Sequence, residues 1–202
     1  RLYLYGAMAS FLGPIVANTF DLIQRLLQLA FRLPSSTGYR YPGLSQPDLV
    51  VHHLAAITVL GLLWLYHWRI AGQDTQLVSI EGTAAGLRRL YAYGFAAAGL
   101  AMTTLAASSL LYWLLTQLAD HVITPSPVYL ARNLARLAVG LPLWLIFWQR
   151  AQRRFSGPAE EERASTVRKL YLYLILLAAV LTTVTTLTLV LAWTAPAYAS
   201  AP

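Results

Sequence analysis

The chain has 202 residues, of which 57% are hydrophobic and only 11% charged, and it carries a formal net charge of +7 at neutral pH. Soluble domains carry about 25% charged residues, so this composition excludes a chain that clothes itself against water, and the cations gather where apolar runs end rather than forming a nucleic-acid patch. With no cysteine, disulfides, iron–sulfur clusters and thiolate zinc sites are excluded as well.

Five apolar segments meet the roughly 20 residues that a membrane-crossing helix needs, near residues 2–27, 48–68, 89–118, 128–149 and 169–193. The first opens on Arg1-Leu2-Tyr3-Leu4-Tyr5, a cation and two phenols at the mouth of an apolar helix, which is how chains anchor at a membrane interface. Pro14 lies inside this segment and is expected to remove one internal hydrogen bond. Near its end Asp21, Arg25, Gln28 and Arg32 share one helical stripe, opposite Leu22, Leu26, Leu29 and Leu33. That pattern predicts an amphipathic end lying along, or projecting from, the membrane surface. The loop RLPSSTGYRYPGLSQP follows.

The second segment carries His52 and His53 and ends at Trp64, Tyr66, His67 and Trp68, which assigns His67 to the interfacial aromatic belt. The third opens on Arg89-Leu90-Tyr91-Ala92-Tyr93 and contains Ala96-Ala97-Ala98-Gly99 and Ala106-Ala107-Ser108-Ser109. Such small residues let helices approach closely in lipid. His121 follows in a loop, and the fourth segment holds Arg132, Arg136 and Pro142. The fifth opens on Lys169-Leu170-Tyr171-Leu172-Tyr173, and from Leu170 to Trp193 it has no charge. Its Leu, Ile and Val residues each favour insertion by about 0.3–0.6 kcal/mol.

One offset of 80 residues carries Pro47 to Pro127, Trp64 to Trp144, Trp68 to Trp148, Arg89 to Lys169 and Trp113 to Trp193. The repeating unit is a helix pair. This predicts an all-α polytopic transmembrane bundle of tandem pairs in parallel orientation: residues 1–80, residues 81–160, and residues 161–202 holding the first helix of a third pair and an external tail. A chain that begins without Met and stops within a third pair is expected to be part of something longer. Arg1, Arg69, Arg88, Arg89, Arg150, Arg153, Arg154, Arg163, Arg168 and Lys169 fall on one face. By the positive-inside rule that face is cytoplasmic, in a bacterial-type plasma membrane, with the C-terminus external. Its arginines suit anionic lipids.

Ionisable residues at membrane depth cost roughly 2.5–3.5 kcal/mol each at a helix centre, which makes Asp21, Arg25, Arg132 and Arg136 the intramembrane polar candidates. Counted back from Arg150, Arg136 lies about 21 Å inside a hydrocarbon core of about 30 Å. Pairing of Arg132 or Arg136 with Asp21 or a partner's acid, supported by Asn18 or Asn133, is one expectation; snorkelling of both arginines is the other. His52, His53, His67 and His121 are the possible haem or pigment ligands. Adjacent His52 and His53 point about 100° apart on a helix, so they cannot share one ion at ideal geometry. No cofactor is required by the sequence, no metal set is present, and phosphate loops, zinc helices and nucleophile elbows are absent.

Arg168-Lys169-Leu170-Tyr171-Leu172-Tyr173 follows GLPLWLIFWQRAQRRFSGPAEEERAS, and this combination resembles a bacterial family of uncharacterised membrane domains. Members carry repeated helix pairs opening R-x-LYLY and closing P-x-W-x-x-x-W-x-x-A-Q. The likeness runs from Pro127 to Trp193, and more loosely from Arg1 to Trp113, where Leu62 replaces Pro142 and Arg69-Ile70-Ala71-Gly72 replaces Gln149-Arg150-Ala151-Gln152. It transfers no catalytic residue. The function expected is a non-enzymatic membrane scaffold or accessory subunit that packs against other membrane proteins or itself. The alternatives are a transporter or channel centred on Asp21, Arg132 and Arg136, and a haem- or pigment-binding subunit of an electron-transfer or photosynthetic complex.

Overall fold

A computed structural model describes residues 2–33, 45–77, 82–118, 126–155 and 166–199. They form five helices: α1 (Leu2–Ala30), α2 (Gln46–Leu77), α3 (Gly82–Leu118), α4 (Pro127–Phe155) and α5 (Thr166–Ala199). No strand occurs among the described residues. Every helix contains a stretch long and apolar enough to cross a membrane, namely Leu2–Ala30, Pro47–Gln73, Ala85–Leu114, Pro127–Arg153 and Thr166–Val184. The all-α, five-span architecture expected from composition is the one observed, and the protein is accordingly an integral membrane protein.

Local chemistry explains the ends. Ser45 caps α2: the Asp48 amide donates to Ser45 Oγ at 3.4 Å, while Asp48 Oδ2 accepts from the Ser45 amide at 3.1 Å and from its hydroxyl. This reciprocal box satisfies two amides that a helix start leaves without partners. Ser126 does the same for α4, accepting from the Tyr129 amide at 3.4 Å. At the end of α1, Leu33 N donates to Gln28 O at 2.8 Å and Arg32 N to Leu29 O at 3.2 Å. These two bonds are a Schellman closure, and they hold Arg32 at φ 51°, in the left-handed region. Pro14 and Pro142 lie inside α1 and α4 without ending either helix.

The chain divides into two compact units, Arg1–Gly157 and Pro158–Pro202. In the first, α3 with α4 and α1 with α2 make the most extensive contacts, and α1 also touches α4 and, more sparsely, α3. The second unit contributes α5.

The seam between α3 and α4 is built from backbone. On α4, Ala131, Ala135, Val139, Leu143, Phe147 and Ala151 recur every four residues and are all buried, a single ridge of one helix face. Gly99 and Gly140 meet where the helices cross. A Cβ on Gly99 would sit 2.5 Å from the Trp144 amide nitrogen, and one on Gly140 would lie 2.7 Å from Met102 Cβ. The small-residue runs of α3 are therefore split: Ala96, Gly99 and Ala106 are buried, whereas Ala97, Ala101, Thr104 and Ser108 are exposed.

The aromatic mouths do not behave alike. Tyr3 is 73% exposed, as an interface anchor should be. Its counterpart Tyr91 is 9% exposed and sits among Tyr5, Phe95 and Phe147, at ring-centroid distances of 6.1, 5.1 and 5.6 Å. Tyr93 is buried too, so the belt expected of all these tyrosines is corrected for the third segment. His67 is likewise turned inward. It is buried against Tyr3 and Phe11, at 6.0 and 5.2 Å, rather than lying in the lipid-facing girdle.

Gly99→Ala and Gly140→Ala should each lower stability by about 1–3 kcal/mol through overpacking, read as a shift of the unfolding midpoint in mixed micelles. Gly13→Ala, whose Cβ meets nothing within 4 Å, should leave that midpoint unchanged or raise it slightly.

Candidate functional site

The largest fully buried side chains are Arg25, Met8, His53 and Asn133. Three of these four are polar, which is costly in an apolar bundle unless each finds a partner. Arg25 lies on the polar stripe of α1 and is 2% exposed, Gln24 and Gln28 on the same helix end are also buried, and Leu26 and Leu29 are exposed. The surface-lying arrangement expected of this end is thus reversed at Arg25, Gln28, Leu26 and Leu29, while Leu22 stays buried and Arg32 exposed. In lipid the polar groups gain by turning toward other protein groups, and the leucines lose nothing by facing hydrocarbon.

The partner is on α2. Arg25 Nε–H donates to His53 Nε2 at 3.2 Å. A guanidinium has no lone pair to offer, so Nε2 is the unprotonated ring nitrogen and the ring proton sits on Nδ1. Nδ1–H then donates to Asn18 Oδ1 at 2.8 Å. Asn18, two helical turns before Arg25 on the same stripe, donates its amide Nδ2–H to Pro14 O, also at 2.8 Å. A single proton arrangement satisfies the whole chain of contacts, with His53 neutral and α1 tied to α2. Half-buried Asp21 occupies the same stripe between Asn18 and Arg25.

A second polar point lies on α4. Asn133 is completely buried, donates through Nδ2 to Tyr129 O at 3.0 Å, and accepts from Arg136 Nη1 at 3.4 Å. Arg132 is exposed and lies over the Tyr129 ring at 5.8 Å. The structure therefore places Arg136 on Asn133 of its own helix and Arg132 on an aromatic face.

Ligand capacity follows from the same geometry. Axial ligation needs the lone pair of a ring nitrogen, and that of His53 accepts from Arg25. His67 donates from Nδ1 to Leu63 O at 2.8 Å, with its ring packed between helices. His52 is exposed beside His53, at a centroid distance of 5.4 Å, and His121 lies outside the described residues. Among the described residues no three His, Cys, Asp or Glu side chains gather as a metal set.

Residues 89–195 match a family model described as "Domain of unknown function (DUF5671)". The chain belongs to that family. No curated protein and no solved structure matches it. In this DUF5671 protein, Asn133 and Arg136 fall inside the matched region, whereas Asn18, Arg25 and His53 precede it.

Asn18 is an expected polar support, but its bond to His53 and the pairing of Arg25 with His53 are not singled out by spacing. A signal for part of this was present: the 80-residue offset that carries Pro47 to Pro127 also carries His53 to Asn133, and both side chains are 0% exposed. The polar position recurs in each pair with different chemistry.

The Arg25–His53 bond can be weighed by a double-mutant cycle. His53→Leu and Arg25→Met should each destabilise the protein, and the double variant should lose less than their sum. The expected coupling is about 0.6–1.7 kcal/mol, the range of interhelical hydrogen bonds in membranes, measured by denaturant-driven unfolding in mixed micelles. Additive losses would show that the bond contributes nothing to stability.

Proposed function

We propose that this protein is a non-enzymatic membrane scaffold or accessory subunit, packing against other membrane proteins or a second copy of itself. In this reading it lies in a bacterial-type plasma membrane with its basic connections, 69–89 and 150–169, in the cytosol, as the arginine distribution favours. The observation that carries the reading is the unused half of the small-residue run on α3. Gly94, Ala97, Ala101, Thr104 and Ser108 form an exposed stripe at helical spacing, on a surface otherwise crowded with leucines such as Leu105, Leu111 and Leu114. Small residues let a second helix come within close range, where packing drives association in a bilayer. The buried polar groups reinforce this reading, because Arg25 and Asn18 bond His53 across α1 and α2 as a helix lock, and Asn133 and Arg136 bond each other within α4.

Transport is the second reading. What favours it is ionisable chemistry at membrane depth, with Arg25 and His53 inside the bundle, a situation that marks relay and substrate sites in many carriers.

The two separate by experiment. Purified from native membranes in mild detergent, the wild type should run as a complex of defined stoichiometry. Ala101→Leu should dissociate that complex while leaving the unfolding midpoint of the purified chain within about 0.5 kcal/mol, as for a surface substitution. A wild type that runs as a lone chain in detergent, and moves protons or solutes across liposomes in an Arg25-dependent way, would replace the scaffold by the transporter.

A further inference from the structure

The first unit holds a cavity of about 150 Å³ at the end opposite to the Arg25–His53 lock. A single water needs only about 10–15 Å³ of such space. All four helices of the unit line it, among them Tyr5 of α1, Trp68 of α2, Arg88 and Tyr91 of α3, and Phe147 and Arg150 of α4. Half-buried Arg88 and exposed Arg150 are among its lining residues, and no Asp or Glu is.

Arg150 and Tyr91 are held in place. The Arg150 guanidinium stacks over the Trp68 ring at 4.7 Å, which uses its face; the N–H donors lie in the plane, where a planar or tetrahedral oxyanion accepts them. Tyr91 is fixed by Trp64, whose Nε1–H donates to the phenol oxygen at 2.9 Å. The phenol O–H of Tyr91 is left to donate, and Tyr91 and Arg150 line the same cavity.

Depth gives the ligand's class. Tyr5 and Arg88 stand near the starts of their apolar spans, and Trp68 and Arg150 near the ends of theirs. That level is where a helix leaves hydrocarbon and meets headgroups. An anion-shaped, aromatic-walled site at this depth matches phosphate oxygens better than a carboxylate metabolite, because several donors converge on it from different helices.

We propose that this cavity binds a phosphate oxyanion between Arg88 and Arg150, with the Tyr91 hydroxyl as a third donor. A phospholipid headgroup and soluble phosphate present the same chemistry, and the source is decided as follows. The full chain is reconstituted in phosphatidylcholine nanodiscs, and either phosphatidylglycerol is titrated into the bilayer or inorganic phosphate into the buffer. Retained lipid is counted by native mass spectrometry after release into detergent, and phosphate binding is followed by calorimetry. The wild type should retain phosphatidylglycerol over phosphatidylcholine. Arg150→Gln and Arg88→Gln should each weaken that retention roughly tenfold, the loss that one charge-assisted hydrogen bond carries, and exposed Arg153→Gln should leave it unchanged. Arginine-dependent binding of inorganic phosphate in phosphatidylcholine nanodiscs would uphold the site with a soluble ligand. Equal losses in all three variants would reduce the effect to general surface charge and overturn the site. So would a wild type with neither lipid preference nor phosphate binding, a result that needs no variant to fold.

Discussion

The contact between Arg25 and His53 decides how the first helix pair can exist in a bilayer at all. A guanidinium facing hydrocarbon is heavily penalised, and α1 carries one well along its length. By offering the lone pair of a neutral imidazole, α2 lets that end of α1 turn inward, and Asn18 closes the arrangement by accepting the imidazole proton. The leucines Leu26 and Leu29 then face outward, where a soluble protein would seldom display them and a membrane protein prefers them. Each element of the first pair is consistent with this one requirement.

The second pair meets the same solvent by a different route. Its polar residue at the corresponding position, Asn133, is satisfied within its own helix by Tyr129 O and by Arg136. Cohesion between α3 and α4 comes instead from close approach, with Gly99 and Gly140 removing the side chains that would hold the backbones apart. Hydrogen bonds across helices dominate one pair and van der Waals packing the other, which are the two forces available once the hydrophobic effect between helices is lost.

Much of this was legible in the residues. Apolar run lengths placed all five helices, since no other structure satisfies its backbone in lipid. Ala96 and Gly99 were recognisable as packing residues, and both are buried. What could not be read was which way a polar stripe faces. In water the stripe from Asp21 to Arg32 would lie outside, and the amphipathic reading followed that habit; the bundle reverses it at Arg25. The tyrosines of the Arg-Leu-Tyr words failed to announce their roles for a related reason. An identical local word sets depth, but whether Tyr3 or Tyr91 meets lipid depends on neighbours that are remote in sequence. His53 was read only as a possible ligand, because a candidate acceptor for a buried arginine has no local pattern of its own.

The crossing at Gly99 and Gly140 also constrains how the first unit can deform. Helices this close at a crossing resist sliding, because a shift would drive the backbone of α4 around Trp144 into that of α3 around Gly99. The α1–α3 seam, by contrast, is sparser than the α1–α2, α3–α4 and α1–α4 seams, and among the described residues α2 reaches α3 and α4 only through side chains such as Trp64 and Trp68. A change of membrane thickness or lateral pressure would then be taken up first between α1–α2 and α3–α4, where backbones stand farther apart, before either close-packed seam opened.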